Sequence, residues 1–430
     1  MSSNSNRSQY HIPDNWEIKK FKDFIFFQEG PGLRTFQFTV DGMKVLNVTN
    51  ILGDGFVDMT ITDRFISLDE FNTKYKHFAL ELNDVVIASS GNTTGKIGVI
   101  KQKDLPAILN TSTIRFNNKL NCDLIDQDYL YYFLKSSYFQ EQLLSYSSGS
   151  AQPNVGPTHI ALMDIFYPDI DSQKKISRIL KHLDSKIENN LSTNKTLEEI
   201  AQTLFKEWFV NFNYPNADGN FKHSEFGEIP KSWSINGIGE ICYVQNGYAF
   251  KSKDFQEQGE VGIIKIKNIN GNVVDIQNTD FVDVSVVSSL DKKFKIESGS
   301  LLIAMTGAEV GKIGLVPLTE KNLWLNQRVG MFQEKIAYGN LFMYLLLSTD
   351  TYQTAIQNSA LGSAQPNISA SAIESIRAII PPAKLIEAFG KTVKPIFEKI
   401  LDNLAENETL KTTRDSLLPK LMSGEIDVNG

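Results

Sequence analysis

Residues that carry much of enzyme chemistry are scarce in this chain. It has two cysteines in 430 residues, Cys122 and Cys242, which lie far apart and form no CxxC pair. Free thiols are expected, a usage that fits a reducing compartment. The five histidines, His11, His77, His159, His182 and His223, are scattered, and none pairs with another at metal-ligand spacing. There is no GxxxxGK(S/T) phosphate loop, and no GxGxxG follows a strand-like run. A standalone enzyme or a metal site is therefore not expected. Nor does any apolar run approach the roughly 18 to 20 residues that a membrane helix needs. The opening "MSSNSNRSQYH" has no apolar segment and does not read as a signal peptide. A cytoplasmic protein without membrane contact is the expectation.

Positive charge is also short. The net charge of −7 weighs against nucleic-acid binding by bulk electrostatics, so any such role needs a local patch or a partner. The length exceeds the roughly 250 to 300 residues at which a single core stops growing, and two to four compact units are expected.

What the chain does have is a repeat. The hexapeptide Gly149-Ser150-Ala151-Gln152-Pro153-Asn154 recurs as Gly362-Ser363-Ala364-Gln365-Pro366-Asn367, 213 residues on. "IPDNWEI" from Ile12 matches "IPKSWSI" from Ile229, and "GKIGVI" from Gly95 matches "GKIGLV" from Gly311. Offsets of 217, 216 and 213 differ by only a few residues, so the chain is a tandem duplication. Each half opens with short strand signals, "VLNVTNI" and "DVVIASSG" in the first and "IIKIKNI" and "SLLIAMTG" in the second. A helical stretch, the hexapeptide and a strand ending in proline ("DIFYP", "RAIIP") follow, and a long segment of helical period closes each half.

Alternating four- and three-residue steps in the first closing segment select Ile176, Leu180, Leu183, Ile187, Asn190, Asn194, Leu197, Ala201, Leu204 and Trp208. The same steps in the second select Phe389, Val393, Ile396, Ile400, Asn403, Asn407, Leu410, Arg414, Leu417 and Leu421. Both are heptad seams interrupted by asparagine at the same two central positions. One reading is a pair of surface helices with a polar gap. The sharper one is an antiparallel pair in which Asn190 meets Asn407 and Asn194 meets Asn403, fixing register. About 40 residues at 1.5 Å would give a rod of roughly 60 Å with a globular part at either end. Pro395 should kink the second helix or delay its start.

Candidate ligand contacts fall in the strand-rich parts. The glycine loops "SSGNTTGKIG" and "MTGAEVGKIG" share a frame but differ at their tips, Thr93 and Thr94 against Glu309. Lys96 and Lys312 could reach a phosphate, although turn geometry alone would also explain the glycines. "ILNTSTIRF" and "WLNQRVGMF" offer Asn110, Ser112 and Arg115, and Asn326, Gln327 and Arg328. Such side chains pair with base edges, or else serve as strand-edge hydrogen bonds. Lys251 and Lys253, interleaved with aromatics, and Arg34 in the first half are further candidates for backbone contact.

These features in this order, twice over, resemble the DNA-specificity subunit of Type I restriction-modification systems: "IPxxW", "GKIG", "GSAQPN", a Pro-ended strand and "NLxxNxxL" from Asn190 and from Asn403. The resemblance spans nearly the whole chain. It implies an α+β fold: two similar α/β target recognition domains separated by a pair of long antiparallel coiled-coil helices in a pseudo-twofold tandem repeat. On that plan residues 1–170 and 214–383 are the recognition domains, and 171–213 and 384–426 are the spacer helices. It also implies a non-catalytic subunit that reads a split double-stranded DNA target across a gap set by the helices. Two methyltransferase subunits would dock on it, and motor and nuclease subunits would join them. S-adenosylmethionine, ATP and Mg would be bound by those partners and no cofactor by this chain. An adaptor with two ligand-binding domains for something other than DNA is the alternative. Because the hexapeptide is identical in both halves while readers of different words should differ, it reads as a hinge seating each domain on the rod.

Overall fold

The computed structural model describes residues 12–147, 154–360 and 366–429. The chain divides into two compact units, Met1–Ser185 with Leu410–Gly430, and Lys186–Thr409. The two closing segments are single helices, α1 (Ile170–Phe209) and α2 (Ala383–Met422), each contributing residues to both units. They begin close to the expected 171 and 384 and end four residues before the expected 213 and 426.

In unit 1 a four-stranded antiparallel sheet runs in the order Phe26–Glu29, Thr113–Asn117, Val85–Ala88, Ile97–Val99. A second sheet contains Ala107–Leu109 parallel to Met43–Leu46. The strand "VVIA" has no polar face because it lies between two cores. Val85 and Ile87 pack with the aromatic helices, whereas Val86 and Ala88 pack with Leu46, Ile51 and Leu109. Unit 2 repeats this, with Leu301 and Ile303 in one core and Leu302 and Ala304 in another. A strand buried on both sides reads as a continuous apolar run rather than an alternation.

The "IPxxW" motif closes each unit. Trp16 and Trp233 are buried, and their backbone N–H groups donate to Pro13 and Pro230, turning the chain into a short strand. That strand, Glu17–Lys20 or Ser234–Gly237, pairs antiparallel with the Pro-ended strand Asp164–Tyr167 or Arg377–Ile380. In each unit the strand after the motif and the Pro-ended strand are thus joined directly beside the start of a long helix.

The expected helical stretch from Asp126 comprises two helices, Gln127–Lys135 and Ser137–Ser147, and its counterpart comprises Gly339–Leu347 and Asp350–Ala360. Ser136 leaves the helical region at ψ 152° and its hydroxyl donates to the carbonyl of Phe133, which stops the ladder. Pro395 does not mark a later start of α2, which spans Ala383–Met422 around it. Val393, Phe397 and Ile400 around it are anchored in the core, and that burial outweighs one missing backbone donor.

Within unit 2, α1 and α2 run antiparallel. Asn190 donates to Asn407 at 2.9 Å and to Glu406 at 2.8 Å, and Asn403 donates to Asn194 at 2.7 Å. All four asparagines are buried. The seam positions selected by the heptad steps are buried or half-buried throughout both helices.

Candidate nucleic-acid interface

Four loops meet at one end of each unit's sheet. In unit 1 they are the bend at Gly30, the glycine loop 89–96, the turn 110–113 and the chain just past the first hexapeptide. Gly30 donates to the carbonyl of Thr113, Ser89 to that of Ser112, and Val155 to that of Ser89. Unit 2 repeats the arrangement: Gly247 donates to Val329, Met305 to Arg328, Ile368 to Met305 and Gly307 to Pro366. The crossing at the bend is close. A Cβ on Gly30 would sit 2.1 Å from the Asn110 carbonyl oxygen, and one on Gly247 2.2 Å from that of Asn326, so only glycine fits.

The hinge expected of the hexapeptides falls for the most part on residues outside those described. Residues 149–153 and 362–365 lie outside the described residues, but Asn154 bridges Ser90 and Asn367 bridges Thr306 in short antiparallel pairs. The last residue of each motif thus pairs with the glycine loop of its unit.

The glycine loops turn at Gly91 and Gly95, and at Gly307 and Gly311, all with positive φ. Each loop is held from below by a glutamine that the sequence reading missed. Gln140 donates to the carbonyls of Leu134 and Gly95, and Gln353 to those of Leu347 and Gly311. The signal was present, because the two glutamines recur at the hexapeptide's own offset of 213.

The candidate residues separate into three groups. Asn110 and Arg115 are withdrawn as ligand contacts. Asn110 is buried, donates to Asn47 and accepts from Thr111 N–H. Arg115 is 3% exposed, and its guanidinium donates to the carbonyls of Ala79 and His77 and to Gln28, with Asp84 at 3.3 Å. Burial dominates at Asp84 and pushes its carboxyl above the ordinary range despite that partner. An alternating pattern of polar residues could not reveal that the inward side is a closed network.

A second group points back into its own loop. Thr93 and Thr94 donate to the carbonyls of Ser90 and Gly91, Glu309 pairs with Lys312, and half-buried Ser112 occupies the left-handed region at φ 65°. Asn326 accepts from the N–H of Arg328.

The third group lies exposed on the loops: Lys96, Lys312, Gln327, Arg328, Arg34, Lys251 and Lys253. The Arg328 guanidinium is 3.4 Å from the Thr306 hydroxyl, which links the turn to the glycine loop. Arg34 and Lys251 stand at the same place in the two units, each just before a short 3-10 turn, Thr35–Gln37 and Ser252–Asp254. The structure adds Phe36, 87% exposed on the first of these turns, where unit 2 has Lys253. It also adds Lys292, Lys293 and Lys295, which line a groove with Tyr243 and Gln245, while Phe294 among them contacts Tyr248 at the bend. The lysines were legible in "DKKFK", but their place beside the bend was not.

Among the described residues no group of three or more His, Cys, Asp or Glu side chains could hold a metal ion, and no helix is long and apolar enough to cross a membrane. Cys122 is exposed and Cys242 buried, both as free thiols.

An α+β unit with four converging loops, present twice and tied to long helices, defines a class of tandem-repeat proteins. The model of the Type I restriction modification DNA specificity domain matches the chain twice, over residues 13–199 and 230–414. The chain belongs to that family. It is 27% identical over 423 residues to the Type I restriction enzyme MjaIX specificity subunit of Methanocaldococcus jannaschii, covering 97% of this chain and 95% of that one. It is 25% identical over 368 residues to the EcoKI specificity subunit of Escherichia coli, covering 80% of this chain and 75% of that one. The crystal structure of a Type I restriction-modification S subunit from M. genitalium superposes with a TM-score of 0.57 at 18% identity, covering 98% of each chain.

Proposed function

We propose that this Type I specificity subunit reads a bipartite double-stranded DNA target, one word per unit, across a gap set by α1 and α2. The observation that carries the reading is the duplicated four-loop platform: its backbone frame is the same in both units, and the side chains exposed on it differ. Arg328 and Gln327 offer bidentate donors and acceptors in unit 2, where unit 1 presents Ser112 and exposed Thr111. A shared frame with different tips suits two different words, hence an asymmetric target. Lys96, Lys312, Lys251 and Arg34 would contact phosphate.

The chain itself is proposed to be non-catalytic and cytoplasmic. Two methyltransferase subunits would dock on it and clamp the duplex, which offsets the net charge of −7, and motor and nuclease subunits would join them. S-adenosylmethionine, ATP and Mg belong to those partners in this reading. Alone, the chain should bind DNA weakly and with strong salt dependence, because few cations face the ligand.

The deciding experiment is single-molecule sequencing of methylated bases in cells expressing the chain with its methyltransferase. Two short words separated by an unread gap are expected. Four residues inserted within 189–197 should change the gap and leave both words intact, whereas altered words at the old gap would refute the ruler. Copurification with no methyltransferase would favour an adaptor for another ligand.

A further inference from the structure

A small hairpin in each unit links the recognition platform to the long helices, and its tip is built differently in the two. In unit 1 the hairpin pairs Ile51–Gly53 with Phe56–Val57. Gly55 donates to Ile97 and accepts from Val99, so the hairpin lies on the strand that leaves the glycine loop at Lys96. Its tip residue Asp54 faces the seam, with Lys135 at 3.2 Å and Arg414 at 3.3 Å. Arg414 also holds Asp184 at 2.8 Å, and the Tyr132 hydroxyl donates to that same Asp184 at 2.8 Å. In unit 2 the hairpin pairs Ile269–Asn270 with Val273–Val274 and lies on Ile313–Leu315, the strand that leaves the other glycine loop. Its tip residue Asn272 donates to Glu198 of α1 at 3.1 Å, and the Tyr344 hydroxyl donates to the same carboxylate at 3.1 Å.

The geometry points to Asp54 and Asn272 as positioning residues: each ties the strand of its glycine loop to the helix seam and so fixes where its word is read along the gap. This rests on the bipartite reading above. The duplication supports it, because in each unit the hairpin tip reaches a charged side chain of the seam, Arg414 in one and Glu198 in the other, beside a tyrosine hydroxyl that donates to a seam carboxylate. The seam partners occupy different heptad positions, since Arg414 matches Ala201 and Glu198 matches Lys411 in the repeat, so the two units reach the seam independently. Both tip residues are exposed, so truncating either opens no cavity in a core.

The test uses the full chain assembled with its methyltransferase in cells, with methylated sites read by single-molecule sequencing. Asp54→Ala and Asn272→Ala should each keep both words. Methylation at sites whose gap is one base pair too long or too short should rise about tenfold over wild type, the scale of one hydrogen bond to a charged group. Asp54→Glu, which retains the carboxylate, should restore discrimination. Unchanged gap preference in both alanine variants overturns the proposal. An altered word also overturns it, since the hairpin would then be reading bases. If Asp54→Ala does not assemble, Asn272→Ala decides alone. A wild-type complex that methylates no split site defeats the parent reading instead, and is recognisable because it needs no variant.

Discussion

Asn190 and Asn407, 217 residues apart in sequence, share a hydrogen bond of 2.9 Å in the buried seam between α1 and α2. Replacing Asn190 alone with leucine strands the amide of Asn407 and should cost about 1 to 3 kcal/mol. Replacing both should recover most of that loss, because two apolar groups need no partner. The double variant should nonetheless methylate a wider range of gaps, since the pair no longer penalises a shifted register. Thermal unfolding and methylated-base sequencing measure the two effects separately.

Arg115 and Lys96 should behave in opposite ways. Arg115→Ala leaves Asp84 buried without its cation and should destabilise unit 1 by about 3 to 5 kcal/mol in urea unfolding. Lys96→Ala should leave stability unchanged and lower the salt slope of DNA binding by the complex by about one.

Arg328→Ala should relax one or two positions of one word, by about 1 to 3 kcal/mol per base pair, and leave the other word as it was. Methylation profiles of variant and wild-type complexes supply the comparison. A uniform loss across both words would make Arg328 a phosphate contact instead.

The two thiols should differ in reactivity. Burial, reinforced by Glu334, pushes Cys242 up to about 12, so it holds almost no thiolate near neutral pH. Iodoacetamide at about pH 8 should label Cys122 alone in the folded chain, and both cysteines in denaturant, as read by peptide mass.

Asp280 gives an acid dependence. Burial works against its ionisation, but hydrogen bonds from Lys265 and Lys267 outweigh that and hold the carboxyl below the usual range. A folded value below the unfolded one means the contribution is complete above the ordinary aspartate value of about 3.9 and is lost as pH falls through the folded value. Asp280→Asn should therefore lower the thermal midpoint near neutral pH and make little difference in strong acid. The partial exposure of the pair keeps the effect to about 1 kcal/mol or less.

The sequence by itself determined the duplication, the order of elements within each half, the two long helices and the asparagines in their seam. Each of these is written as a period or a repeat, and Ile176, Asn190 and Ile400 occupy the buried face because helical geometry leaves them no other. Only the tertiary structure decided which polar residues face a ligand. Asn110 and Lys96 look equally available in sequence, yet one closes a buried network with Asn47 and the other stands in solvent. It also decided that Asn154 and Asn367 pair with the glycine loops and that α2 runs through Pro395. These outcomes depend on groups brought together from distant parts of the chain, where the partner, and not the residue type, fixes what a side chain does.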